Sequence, residues 1–306
     1  MRLDSSAIAR ASSVISKPSG LGWGLLGVVA FSFTVPFTKV AVEGLDPLFI
    51  GSARAVVAAV LAGTALVVAR ERLPRRAHLG RLAVVAAGVV VGFPLLTSFA
   101  LQSAAASHGA VVVALLPAVT AALVVLRTTE RPPAPFWVFA GLGAVAALFF
   151  AGLQGGDQVA LDWSDLLLFG AVLAAAVGYA EGGLLARELG SWQTVSWALV
   201  LSSPLMLALS VWSATDRTPT ATAAQWSAFA YLAVVSMFLG FFAWYRGLAL
   251  GPMAQVSQVQ LVQPVLSILW AALLLREHLT WPTVAGGLAV VLCAGLAVRT
   301  RSRHLR

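Results

Sequence analysis

Ten apolar stretches, each close to twenty residues long, constrain this chain more than any other feature. They fall at about 21–42, 48–69, 82–102, 108–126, 135–152, 163–185, 194–213, 226–246, 252–275 and 281–298. A helix needs about 20 apolar residues to cross the hydrocarbon core of a bilayer. Only helices and closed barrels satisfy their backbone in lipid, and these runs are continuous rather than alternating, so helices are read. Charged residues make up 10% of the 306 positions, against roughly 25% in an average soluble domain. That is too little charge to wet a soluble surface. It excludes a cytosolic enzyme and a nucleic-acid module, and 59% hydrophobic residues exclude disorder. The fold expected is an all-α integral membrane protein of ten transmembrane helices.

Charge position then sets orientation. With a cytoplasmic N-terminus, the cytoplasmic segments hold Arg2, Arg10 and Lys17, then Arg70, Arg72, Arg75, Arg76 and Arg81, then Arg127 and Arg131. Arg187, Arg246, Arg299, Arg301, Arg303 and Arg306 complete sixteen, against Arg217 and Arg276 outside. The positive-inside rule therefore puts both termini in the cytoplasm. It also accounts for the net charge of +8 without a nucleic-acid partner. The first apolar run follows about twenty mixed residues and is long enough to span, so no cleavable leader is read. The single cysteine, Cys293, lies in an apolar run and reads as a small packing residue.

Comparing the chain with itself reveals a repeat at an offset of 147 residues. Leu101 aligns with Leu248, Pro117 with Pro264, Glu130 with Glu277 and Pro135 with Pro282. The blocks ALQSAAASHGAVVVALLP and GLALGPMAQVSQVQLVQP each read as a helix end, a tight turn and a helix with a late proline. Residues 1–20 form a cytoplasmic tail, 21–152 a first five-helix repeat, 163–298 a second, and 299–306 a basic cytoplasmic tail. Five helices is an odd number, so the second repeat inserts upside down relative to the first. Inverted repeats are a feature of many secondary transporters.

These residues resemble the EamA family of the drug/metabolite transporter superfamily. The most specific part is the repeated helix–turn–helix: small residues at Ala104–Ala106 and Gly251–Ala254, then Pro117 and Pro264, then Glu130 and Glu277. Lys39, Asp46-Pro47 and Arg54 also look like the family's opening hairpin. In the second half Arg187 is the nearest match to Lys39, and nothing matches Arg54. The resemblance implies ten helices, an inverted five-plus-five repeat and metabolite export by alternating access. It implies no particular substrate.

A charge deep in a membrane costs roughly 2.5–3.5 kcal/mol on insertion scales, so each one needs a reason. Glu181 lies in the sixth span, about one turn from its cytoplasmic end. It reads either as a substrate-binding or proton-carrying group, or as a carboxylate that reaches water or pairs with Arg187. Tyr179 lies on another face, as a packing or substrate-contacting ring. Lys39 and Arg54, near the outer ends of the first two spans, read as snorkelling or paired with Glu43 or Asp46, or else as an anion site and gate. Pro36 removes a backbone bond beside Lys39. In the ninth span Ser257, Gln260, Gln263 and Ser267 share one helical face, expected to line a cavity or bond a neighbouring helix. Phe241, Phe242, Trp244 and Tyr245 read as an interfacial belt or a substrate-stacking wall. His108 reads as a solvated turn residue, with a proton relay as the alternative, and Gly88 and Gly92 as a small-residue packing motif.

No P-loop, CxxC or HExxH spacing occurs, and the histidines are scattered. No catalytic residue, metal site or cofactor is expected, and the chain is not read as an enzyme. The function expected is a secondary transporter of the plasma (inner) membrane. It would export a small polar metabolite, an amino acid among the candidates. Partners would be the bilayer and that small molecule, and the fused repeats favour a monomer. A passive channel is the alternative, and a membrane scaffold a third reading.

Overall fold

The computed structural model describes residues 20–127, 133–153, 162–250, 256 and 259–302. Among the described residues seven helices are long and apolar enough to cross a membrane: α1 (Gly20–Val42), α2 (Pro47–Val68), α3 (Arg76–Ser103), α4 (Ala106–Arg127), α6 (Trp163–Leu189), α7 (Ser191–Asp216) and α8 (Ala223–Leu250). Between them α5 (Ala134–Leu153) is a further apolar helix. The remaining two are α9 (Val262–Leu274) and α10 (Trp281–Ser302), of which Trp281–Cys293 is the apolar part.

Several helices outrun the apolar windows that announced them; α6, for example, ends at Leu189 rather than 185. Apolar runs measure the bilayer core, whereas helical hydrogen bonding continues until something stops it. Gly190, at φ 96°, is that stop for α6. Starts are equally specific. Asp46 accepts hydrogen bonds from Leu48 N and Phe49 N with Pro47 in the first turn of α2. Capping boxes open α6 at Asp162/Asp165 and α8 at Thr222/Gln225.

Proline inside a lipid-facing helix frees a carbonyl that lipid cannot satisfy, so a partner must come from the protein. The carbonyl four residues before Pro36 belongs to Ser32, and the Ser267 hydroxyl of α9 donates to it at 2.7 Å. The carbonyl four before Pro204 belongs to Val200, and the Ser203 hydroxyl donates to it at 2.8 Å. Before Pro264, Gln263 N tightens onto Gln260 O at 3.0 Å.

The repeat extends into backbone detail. α3 carries a π-helical segment at Ala86–Gly92 and α8 another at Leu232–Leu239. Phe93 N bonds Gly88 O, and Gly240 N bonds Val235 O. Both pairs are separated by the 147-residue offset found in the sequence. Helix pairing follows the same rule. α1 packs on α8 and α3 on α6; α2 packs on α7, α4 on α9 and α5 on α10. Exchanging α1–α5 with α6–α10 leaves this set of pairs unchanged.

Glycine makes two of these contacts close. A Cβ on Gly88 would lie 2.4 Å from Ala174 O of α6, and one on Gly247 would lie 2.7 Å from Gly24 N of α1. Gly88 is therefore the packing residue expected from the sequence, set within the π-helical turn.

Candidate functional site

Midway along the bundle, α1, α2, α3, α6, α8 and α9 enclose a small cavity. Its walls are Phe31, Thr34, Arg54, Val89, Phe93, Pro94, Ala175, Tyr179, Ser236, Met237, Phe241 and Gln263. Both halves of the chain contribute, and each π-helical segment supplies wall residues, Val89 from one and Ser236 and Met237 from the other. π-Helical turns are frequent at functional sites because they re-aim side chains within an otherwise regular helix. The cavity volume is about 20 Å³, room for little more than one water. This conformation therefore leaves little free space at the centre of the bundle.

Arg54 is the charged member of this wall. It is 1% exposed, and its Nε and Nη2 atoms have no hydrogen-bond partner. Among the described residues it forms no ion pair. Snorkelling and pairing with Glu43 or Asp46, both open in the sequence reading, are therefore corrected. Asp46 is occupied as the α2 cap and by the Ser213 hydroxyl at 2.8 Å. Lys39 does neither of these; it donates to the carbonyl end of α3 at Leu101 O, 3.0 Å away.

Other polar groups converge on the same space. Thr34 and Ser236 share a hydrogen bond of 2.7 Å between α1 and α8. Gln263 is buried with its Oε1 unpartnered. Gln260 is buried with both amide atoms unpartnered, but it is not in the cavity wall. Ser267 serves Ser32, as described above. Ser257 lies outside the described residues. The shared polar face of the ninth span thus divides between cavity and neighbouring helix.

Phe31, Phe93, Tyr179 and Phe241 line the cavity and not the bilayer interface. Tyr179 faces the cavity, with Phe31 stacked at 6.3 Å and Phe241 edge-on at 6.0 Å between ring centroids. Trp244 and Tyr245 are fully buried behind this wall, which corrects the interfacial-belt reading for them. The Tyr245 hydroxyl donates to Gly178 O at 3.2 Å, held there because Gly182 leaves it space. Trp163 and Trp281 are exposed at helix starts, as a belt requires.

Two ionic clusters lie along the bundle on either side of the cavity. At the end carrying the Arg70–Arg76 loop, here the basic end, Glu181 of α6 is buried and bonded by two arginines. Arg81 of α3 donates through Nε, and Arg127 of α4 donates through Nη2 at 2.6 Å. Arg81 also reaches Glu188 at 2.6 Å, and His78 stands 3.4 Å from Glu188. Arg187 is exposed and is not the partner of Glu181. Beside this cluster a cavity of about 320 Å³ runs between α3, α4 and α6.

At the far end, His108 Nε2 and Asp165 Oδ1 are 2.6 Å apart and both buried. His108 is therefore not a solvated turn residue: it sits on the first turn of α4, which packs against the start of α6. Nearby, Glu277 accepts from Ala106 N at 2.8 Å and Ser107 N at 3.0 Å. That carboxylate satisfies the free amides and the positive dipole end of α4.

Sequence reasoning named Arg54, Tyr179 and Gln263 but missed Phe31, Thr34, Ser236 and Met237. It missed Arg81 and Arg127 as partners of Glu181, and Asp165 as the partner of His108. A polar residue in an apolar helix was the available signal for Thr34 and Ser236. Nothing local marked Phe31 or Met237.

A bundle of apolar helices packed around a polar cavity, built twice over in one chain, is a membrane-transporter architecture. The EamA-like transporter family matches residues 18–152 and again 162–299, so the chain belongs to that family and is a membrane transporter. It is similar to "Uncharacterized transporter YdeK" of Bacillus subtilis (strain 168), at 44% identity over 280 residues. That alignment covers 91% of this chain and 97% of the relative. A solved crystal structure, 16% identical, aligns with a TM-score of 0.64 over 92% of this chain and 99% of its own, which shows a shared fold.

Proposed function

We propose that this protein is a secondary transporter that exports a small polar metabolite across the plasma membrane by alternating access. On this reading ten helices cross the membrane as two inverted five-helix repeats. Both termini lie in the cytoplasm, and the monomer is complete. The basic end is then the cytoplasmic end. The observation that carries the reading is the narrow cavity between the halves, flanked by two clusters of charged side chains that differ in their access to water. A site occluded at mid-depth, with a separate closure towards each face, is what alternating access needs.

Glu181 acts in this account at the cytoplasmic closure, where it ties α6 to α3 and α4. Lys39 and Pro36 shape α1 beside the outer closure. The Tyr179, Thr34, Ser236 and Gln263 side chains contact the substrate, and Trp244 and Tyr245 hold the wall behind them. Metabolite flux in proteoliposomes tests the reading, using a labelled amino-acid and organic-acid panel with and without a pH gradient. Saturable flux with counterflow is expected. Flux that never saturates would replace the carrier with a channel.

A further inference from the structure

We infer that the transported ligand carries a carboxylate, held by the free edge of Arg54; this rests on the transporter reading above. The two unpartnered atoms of Arg54, Nε and Nη2, share one edge of the planar guanidinium. That edge presents two parallel N–H groups, the fork that matches a carboxylate in bidentate fashion. A guanidinium does not shed its proton to escape burial. Its charge therefore stands buried and uncompensated at the cavity wall, which no stability argument favours. A ligand that brings the countercharge explains why the residue is there.

The surroundings narrow the ligand further. Phe31, Tyr179, Phe241 and Met237 offer an apolar bed for its body. Gln263 Oε1 is an acceptor without a donor, suited to an O–H or N–H on the same molecule. An amine finds no counterion: among the described residues no acidic side chain lines the cavity, and Glu181 is bound by Arg81 and Arg127. The ligand class is a small organic acid with a neutral hydrogen-bond donor and an apolar body. Because the narrow cavity holds little more than a water, binding selects a conformation open at one end.

The test uses the purified full chain in nanodiscs, with thermal unfolding as the binding readout. Lactate and mandelate are the carboxylate probes; lactamide and 1-amino-2-propanol are the neutral and cationic counterparts. Saturating carboxylate should raise Tm by about 2–4 °C or more, and the counterparts should not. Without ligand, Arg54→Gln should unfold at or above the wild-type Tm, because it removes an unpaired buried charge. It should also lose the carboxylate shift. Arg54→Lys should retain the shift with at least tenfold weaker affinity. No shift from either carboxylate, an equal shift from 1-amino-2-propanol, or a carboxylate shift retained in Arg54→Gln would each overturn the assignment. So would a ligand-free Tm well below wild type in both variants, since that marks a structural arginine.

Counterflow in proteoliposomes separates this proposal from the reading beneath it. If 1-amino-2-propanol exchanges and lactate does not, the transporter stands and the carboxylate falls. If lactate binds through Arg54 but neither it nor any metabolite of the wider panel crosses, the site stands and the carrier falls.

Discussion

The two ends of the bundle are closed by different chemistry. At the far end His108 and Asp165 are 7% and 4% exposed in their side chains, so neither partner meets water. At the basic end Glu181 is 6% exposed, but its partners Arg81 and Arg127 are 29% and 56% exposed. Separating the first pair breaks a bond between two groups that have no water at hand to replace it. Separating the second strands one carboxylate, while both arginines have water at hand. The arginines at the basic end can therefore exchange their bonds for water, whereas the far end ties two helix starts together away from it. Glu277 reinforces that difference by capping α4 from the loop before α10.

Several substitutions would break or sharpen this contrast. The largest effect is expected from Asp165→Ala, which removes the buried bond to His108 and the α6 capping box at once. Loss of a buried pair costs about 3–5 kcal/mol, read as a large fall in Tm in detergent. A loss below about 0.5 kcal/mol would show that the far end is not held by this pair.

Glu181→Gln should cost less, about 1–2 kcal/mol, because the arginines rehydrate and only part of the buried-pair penalty applies. Its clearer signature is exposure: reagents added from the basic end should reach the cavity faster. High salt should mimic part of this effect in the wild type, since half-exposed charges are screened, while the His108–Asp165 pair should not respond.

Ser267→Ala removes the hydroxyl that satisfies Ser32 O beside Pro36. It should cost about 1 kcal/mol, and more if the carbonyl stays dry. An unchanged Tm would mean that α1 recovers the bond internally. Smallest of all, Arg127→Ala should fall within about 0–1 kcal/mol, because the arginine is more than half exposed and Arg81 remains on Glu181. Thermal unfolding of the two single variants and the double variant with Glu181→Gln would give the coupling directly.

Much of the architecture could be read from the sequence, because lipid imposes a simple rule. A span must be apolar for its whole length, so spans announce themselves, and prolines at matching positions announced the repeat. The π-helical segments were not legible, since Val89 and Ser236 differ in type and only the hydrogen-bond register is shared. Arg54 was named from its type and depth. Whether a long cation snorkels or stays buried depends on what surrounds its stem, and that is set by α3, α6 and α8. Glu181 illustrates the same limit. Its neighbour Arg187 is close in sequence but exposed, whereas Arg81 and Arg127 arrive from other helices. His108 was misread because the flanking small residues look like a turn, and its partner lies 57 positions away.

The central claim is that one cavity between the halves opens to each face in turn. Thiol accessibility at its wall tests this most directly. Cys293 is the single native cysteine, so Ser236→Cys in a Cys293→Ser background places one reporter at the cavity. A membrane-impermeant thiol reagent is then added separately to each face of oriented vesicles. The account predicts labelling from both faces, with Glu181→Gln shifting the balance towards the basic end. Labelling from one face alone, unchanged by Glu181→Gln, would contradict it.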